Sequence, residues 1–128
     1  MIKGMLDTNT LIYIANRKPP EIFERLRKFR HGEIVISGIV WAEFAVGLYK
    51  RGMGDSPLEP FIEVVPFDQK AGSVFGQLTA KHPDRAKAFD RMIAAHAISV
   101  GATLITNNTT DFTPYLSDGL TVENWAGA

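Results

Sequence analysis

Lys3-Gly4-Met5-Leu6-Asp7-Thr8-Asn9-Thr10-Leu11-Ile12-Tyr13-Ile14-Ala15 is the stretch that decides the fold. Lys3 to Leu6 reads as a short strand, and Asp7 stands where it ends. Leu11, Ile12, Ile14 and Ala15 then recur at helical spacing, with Thr8 or Asn9 placed to cap the helix. A strand that runs into a carboxylate and on into a helix is the opening unit of an alternating α/β chain.

The same alternation continues outward. Pro19-Pro20 opens a second helix, in which Ile22, Phe23, Leu26 and Phe29 keep one face until Gly32 stops it. Ile34-Val35-Ile36 is a buried strand, Ser37 an N-cap, and Ile39 to Tyr49 a helix apolar nearly all round. Gly52 and the segment Gly54 to Pro57 break the chain. Val64-Val65 reads as a weak strand and Ala71 to His82 as a helix with Val74, Phe75 and Leu78 inward. His82-Pro83 separates it from a helix over Asp84 to Val100. Thr103 to Thr106 is a strand, Asn107 to Phe112 a loop, and Leu120 to Val122 a last strand. This order predicts one α/β domain over residues 1–128, with right-handed crossovers and a central, mainly parallel sheet covered by helices on both faces.

Composition bounds what such a domain can do. The 128 residues are 45% hydrophobic and 10% aromatic, enough for an ordinary core. There is no cysteine, which excludes a disulfide scaffold and a thiolate zinc site. No apolar run approaches a membrane span and none resembles a secretion signal, so a soluble cytoplasmic protein with no membrane partner is expected. The 14 basic and 14 acidic residues give no broad positive field. The densest local basic stretch is Arg25, Arg27, Lys28, Arg30 and His31, which on pattern alone reads as a solvated helix face.

Four acidic residues stand where burial is costly. Asp7 closes Met5-Leu6, Glu43 is the only charge between Ile39 and Tyr49, Asp90 heads Ile93-Ala94-Ala97-Ile98, and Asp111 follows Leu104-Ile105-Thr106-Asn107-Asn108. An unpaired buried carboxylate costs several kcal/mol and is tolerated beside a cation or dense hydrogen bonding. Singly, Asp7 and Asp90 read as helix caps, Asp111 as an Asx-turn residue and Glu43 as half of a structural ion pair. Together they read differently. Ligands of such sheets collect beyond the carboxyl ends of the strands. Asp7 and Thr106 to Asp111 fall there directly, while Glu43 and Asp90 sit a turn or two into helices that begin at that edge. Hard oxygen donors without histidine or cysteine select Mg²⁺ or Mn²⁺, so one shared divalent metal site is expected.

Other chemistry finds no support. His96, among Ala94, Ala95, Ala97 and Ile98, reads as a core histidine. Ser37 is better explained as a cap than as a nucleophile, because no histidine is recognisably placed to activate it. Trp41, Phe44, Ala45 and Leu48 form a core stripe, and nucleophile-elbow, phosphate-loop and dinucleotide fingerprints are missing.

Met5-Leu6-Asp7-Thr8-Asn9, the Ser37 to Leu48 segment with Trp41-Ala42-Glu43, Phe89-Asp90-Arg91-Met92-Ile93-Ala94-Ala95-His96-Ala97 and Leu104-Ile105-Thr106-Asn107-Asn108-Thr109-Thr110-Asp111-Phe112 together resemble the PIN domain. More narrowly they resemble VapC-type toxins of bacterial toxin–antitoxin pairs, as does the ending Gly119-Leu120 to Glu123-Asn124-Trp125. The resemblance implies a three-layer PIN-like fold and a metal-dependent endoribonuclease that hydrolyses one defined RNA, such as a tRNA or ribosomal RNA loop. It also implies a homodimer, inhibition by a VapB-type antitoxin, and a heterotetramer or larger assembly with it. On that basis Asp7 and Asp90 hold Mg²⁺ or Mn²⁺ and Glu43 and Asp111 complete the charge. Thr8, Asn9, Thr106 and Asn108 are suited by type to support them through hydrogen bonds, and Arg25, Arg27, Lys28 and Arg30 would bring RNA in. The chain departs from the family's Pro-Ile-Gly-like turn, carrying Asp84-Arg85-Ala86-Lys87-Ala88-Phe89 instead, which leaves a role for Asp84 open. Two rivals are an inactive PIN-like binding module, which should lack an acid, and a receiver-type Mg²⁺ domain, which should pair acids after its first strand.

Overall fold

The computed structural model describes residues 1–54 and 62–126. Five strands form one parallel sheet in the order β3-β2-β1-β4-β5, where β1 is Gly4–Leu6, β2 Ile34–Ser37, β3 Glu63–Val65, β4 Thr103–Ile105 and β5 Thr121–Glu123. β1 is central, with Met5 opposite Val35 of β2 on one side and Leu104 of β4 on the other. Helices α1 (Thr8–Asn16), α2 (Pro20–Leu26), α3 (Gly38–Lys50), α4 (Gln69–Lys81), α5 (Ala88–Val100) and α6 (Thr109–Phe112) connect them. The strand order reverses between β1 and β4, and the crevice of a doubly wound sheet opens at such a point.

Every residue of β1 and β2 is buried. Neighbours along a strand face opposite sides, so this run requires cover on both faces and explains why these strands are apolar rather than alternating. Gly4 is small for a reason: a Cβ there would stand 2.6 Å from Ile105 Cδ1 and 2.8 Å from Ile34 Cδ1. The edge strands β3 and β5 instead expose Glu63, Thr121 and Glu123, which blunts edge pairing. Between α4 and α5 the buried Arg91 donates to Thr79 Oγ1 at 3.0 Å and to the Asp84 carbonyl at 2.9 Å, with Phe75 beneath its guanidinium. Among the described residues no helix is long and apolar enough to cross a membrane.

Several local expectations change. The N-cap of α1 is Asp7 itself, not Thr8 or Asn9. α2 ends at Leu26, well before Gly32, because Lys28 and Phe29 tighten into three-residue turns and the Glu33 carboxylate takes the Arg30 amide. α4 begins at Gln69, since the Asp68 side chain caps it through Ala71 N. Residues 84–100 are not one helix: Arg85–Lys87 is a 3₁₀ turn capped by Asp84, and α5 starts at Ala88. The expected loop after β4 holds α6 and a 3₁₀ stretch over Thr113–Asp118, begun when the Thr106 hydroxyl captures Asn108 N. α3 is less of a core helix than its composition predicts: Leu48 is buried, Trp41 and Phe44 are half-buried, and Ala42 and Val46 are exposed. Gly52 and Gly54 take positive φ as chain breakers, while Asp55, Ser56 and Pro57 lie outside the described residues.

Candidate functional site

Asp7 follows β1 directly, and its amide donates to the Ile105 carbonyl of β4 at 3.1 Å, which fixes the backbone at the switch point. Asp7 is 4% exposed, and its carboxylate accepts from Thr10 N at 2.8 Å and hydrogen-bonds the Thr106 side chain. Burial pushes its pKa up, the hydrogen bonds from Thr106 and Thr10 partly offset that, and the charge of Glu43 adds to the rise. Asp90, in the first turn of α5 and half-buried, is likewise pushed up by burial first and then by Asp111. Lys87 opposes this, while Asp7 and Glu43 add to it. Asp7 thus feels the charge of Glu43, and Asp90 that of the other three acids.

Three of them share a cavity of about 200 Å³ at the carboxyl edge of the sheet: Asp7, Glu43 and Asp90, with Asn108 beside them and Ile93 and Phe112 as apolar wall. Asp111 on α6 stands outside this lining, half-exposed, with Oδ1 3.7 Å from Lys87 Nζ. Thr8 and Asn9 also line the cavity, and the buried Thr8 hydroxyl has no hydrogen-bond partner. Thr106 lies behind, bonded to Asp7 and to Asn108 N.

The elements that carry Glu43 and Asp90 are cross-braced. Ser37, at the end of β2, caps α3 by accepting from Ile39 N at 3.1 Å, and its hydroxyl is 2.7 Å from His96 Nδ1 on α5. A histidine is thus placed beside Ser37 after all, across a separation that periodicity does not reveal. Both side chains are sealed in the core, at 0% and 1% exposure, so the pair is structural, and burial lowers the His96 pKa.

The basic stretch enters other contacts. Arg25 bonds Glu123 and covers the Trp125 ring, and Arg27 pairs with Glu24. None of Arg25, Arg27, Lys28 and Arg30 lines the acidic cavity. Asp84 does not either; its carboxylate accepts from Ala86 N. Lys87 is the charged neighbour that sequence reading missed, though its place three residues before Asp90 was the available signal.

The donors suit a hard divalent cation: all are oxygens, and crowding of like charge is relieved by a cation between them. The unpartnered Thr8 hydroxyl at the same cavity points the same way. Among the described residues, no three acidic or histidine side chains are closed into a ready cage.

The PIN domain family matches residues 4–113. A tRNA(fMet)-specific endonuclease VapC of Shigella flexneri is 35% identical, over 98% of this chain and all of that protein. A ribonuclease VapC of Haemophilus influenzae is 33% identical, over 98% of this chain and 99% of that one. Among solved structures, DNA-bound VapBC from Salmonella typhimurium superposes with a TM-score of 0.78 at 32% identity, covering 98% of this chain and 99% of that one. VapBC2 from Rickettsia felis, bound to a promoter DNA fragment, gives 0.77 at 30% over the same shares.

Proposed function

The chain belongs to the PIN-domain family, and from that premise we propose that it is a metal-dependent endoribonuclease. It acts as the toxin of a VapBC-type pair, cutting a defined cytoplasmic RNA, in first place a tRNA, as the name of the Shigella relative suggests. The observation that carries this reading is the convergence of Asp7, Glu43 and Asp90 on one cavity, with Asp111 close enough to raise Asp90.

Asp7 and Asp90 would hold Mg²⁺ or Mn²⁺, directly or through water, with Glu43 and Asp111 completing the charge; the ion supplies an activated water and neutralises the phosphoryl oxygens. The remaining work falls to the chain. Thr10 N and Thr106 fix the Asp7 carboxylate before any ligand arrives, so its orientation is preset. Asn9 and Asn108 offer amide N–H groups, and Thr8 a free hydroxyl, to the non-bridging oxygens of the scissile phosphate. Ile93 and Phe112 limit water on the inner side.

Restraint comes from a VapB-type antitoxin acting on a homodimer of this chain, in a heterotetramer or larger complex; the VapBC likenesses support that partner. An arginine suits the acidic cavity, because its planar guanidinium bridges carboxylates bidentately and keeps its charge. The deciding experiment incubates purified protein with end-labelled tRNA and total RNA, with and without Mn²⁺, beside Asp7→Asn. Discrete cleavage that needs the ion and is lost in the variant is expected; cleavage retained by Asp7→Asn would remove the site assignment.

A further inference from the structure

A second, larger cavity of about 420 Å³ adjoins the acidic one, and Thr8, Asn9 and Glu43 line both. We propose that this groove between α1 and α3 seats a nucleobase of the RNA substrate, that of the nucleotide adjoining the scissile phosphate. The proposal rests on the nuclease reading above.

The two helices build the groove from aligned stripes. Glu43 and Gly47 on α3 and Arg51, the residue that caps its C-terminus, stand four residues apart and line the groove over about 12 Å. That side is acidic at the catalytic end, vacant in the middle and cationic at the far end. The vacancy is Gly47: a Cβ there would meet nothing within 4 Å. Glycine weakens a helix interior, and here it opens volume beside Phe44. On α1, Ile12 and Ala15 form the apolar wall while Asn9 and Asn16 present amides.

An apolar slot with a few hydrogen-bonding ends suits a planar heterocycle. Bases stack on aromatic and apolar side chains, and an amide can both donate to and accept from a base edge. The volume falls within the range of about 300–1,000 Å³ typical of small-molecule sites. Among the described residues Asn9, Asn16 and Arg51 have no side-chain partner. A purely apolar peptide would leave those groups unmet. Arg51 complements the next phosphate of an RNA strand whose scissile phosphate lies at Glu43.

The test uses an end-labelled RNA that the unsubstituted protein cuts, and the same RNA with an abasic ribose on either side of the cut. Gly47→Leu fills the groove. Gly76→Leu on α4 is the control, because Gly76 is exposed, lies outside the groove and also has nothing within 4 Å of its Cβ. One abasic replacement should lower kcat/KM about tenfold with the unsubstituted protein, mainly through KM. Gly47→Leu should lose a similar factor on intact RNA and show no further loss on the abasic RNA, while Gly76→Leu matches the unsubstituted protein. Equal cleavage of intact and abasic RNA overturns the groove assignment even if Gly47→Leu fails to fold. So does a Gly47→Leu that cuts RNA normally while losing a protein partner, which would give the groove to that partner. Loss of cleavage in Asp7→Asn alongside either result leaves the nuclease reading standing; no cleavage by the unsubstituted protein removes both.

Discussion

Asp7 does two jobs that pull in opposite directions. As the N-cap of α1 it stabilises a helix end, and as a buried carboxylate beside other acids it destabilises the metal-free fold. Asn caps about as well as Asp, so Asp7→Asn keeps the first role and removes the second. Its RNA cleavage should fall by on the order of 100-fold or more, the scale on which loss of one preorganised catalytic group acts. Its melting temperature in chelator at pH 7 should equal or exceed that of the unsubstituted protein, and Asp90→Asn should behave alike. The sign follows from linkage: a carboxyl raised above 3.8 in the folded state favours folding below that pH. That stability is lost as pH rises through the raised value, so the advantage of Asn should shrink as pH falls toward 3.8. A clear drop in melting temperature at pH 7 would mean that Asp7 is held in a structural pair. His96 works the other way: its lowered pKa means that stability is present above 6.5 and lost as pH falls through the folded value.

At the scale of elements, the brace between β2, α3 and α5 is a single hydroxyl. Ser37→Ala should cost about 1–3 kcal/mol, since it removes a cap and leaves a buried imidazole nitrogen unmet. Calorimetric melting checks this, and a neutral result would show that His96 finds another partner. Gly4→Val should cost about 1–3 kcal/mol or more by driving Ile34 and Ile105 apart in the sheet. The elements themselves were largely legible: two-sided burial of β1 and β2 made them continuous apolar runs, and Ser37 announced α3. What sequence hid was local capture of backbone by side chains. Asp68 starts α4, Asp84 makes a 3₁₀ turn before α5, and Thr106 pulls Asn108 into the turn that leads to α6. Each is one hydrogen bond, and none alters periodicity. Asp7, Glu43 and Asp90 could be read as a set because each interrupts an apolar pattern, whereas Lys87 and Gly47 interrupt none.

For the whole molecule, cleavage should depend on conditions as well as residues. RNA hydrolysis should require added Mg²⁺ or Mn²⁺, disappear in excess chelator, and decline as pH drops toward the raised values of Asp7 and Asp90, where protons compete for the same oxygens. Full activity in chelator would overturn that dependence. Expression of the chain alone should arrest growth, and coexpression of a neighbouring small antitoxin should restore it; harmless expression of a protein that cuts RNA in vitro would sink the toxin role alone. The sheet order adds a timing rule. β1, the central strand, has one neighbour made soon after it and another, β4, made about 100 residues later, which at 5–20 residues per second is about 5–20 s of synthesis. Until β4 emerges, Asp7 N lacks the Ile105 carbonyl that it bonds, Asp90 has been made only on the helix just before that strand, and Asp111 follows it. A nascent chain therefore cannot close the sheet behind Asp7 until most of the domain has been synthesised.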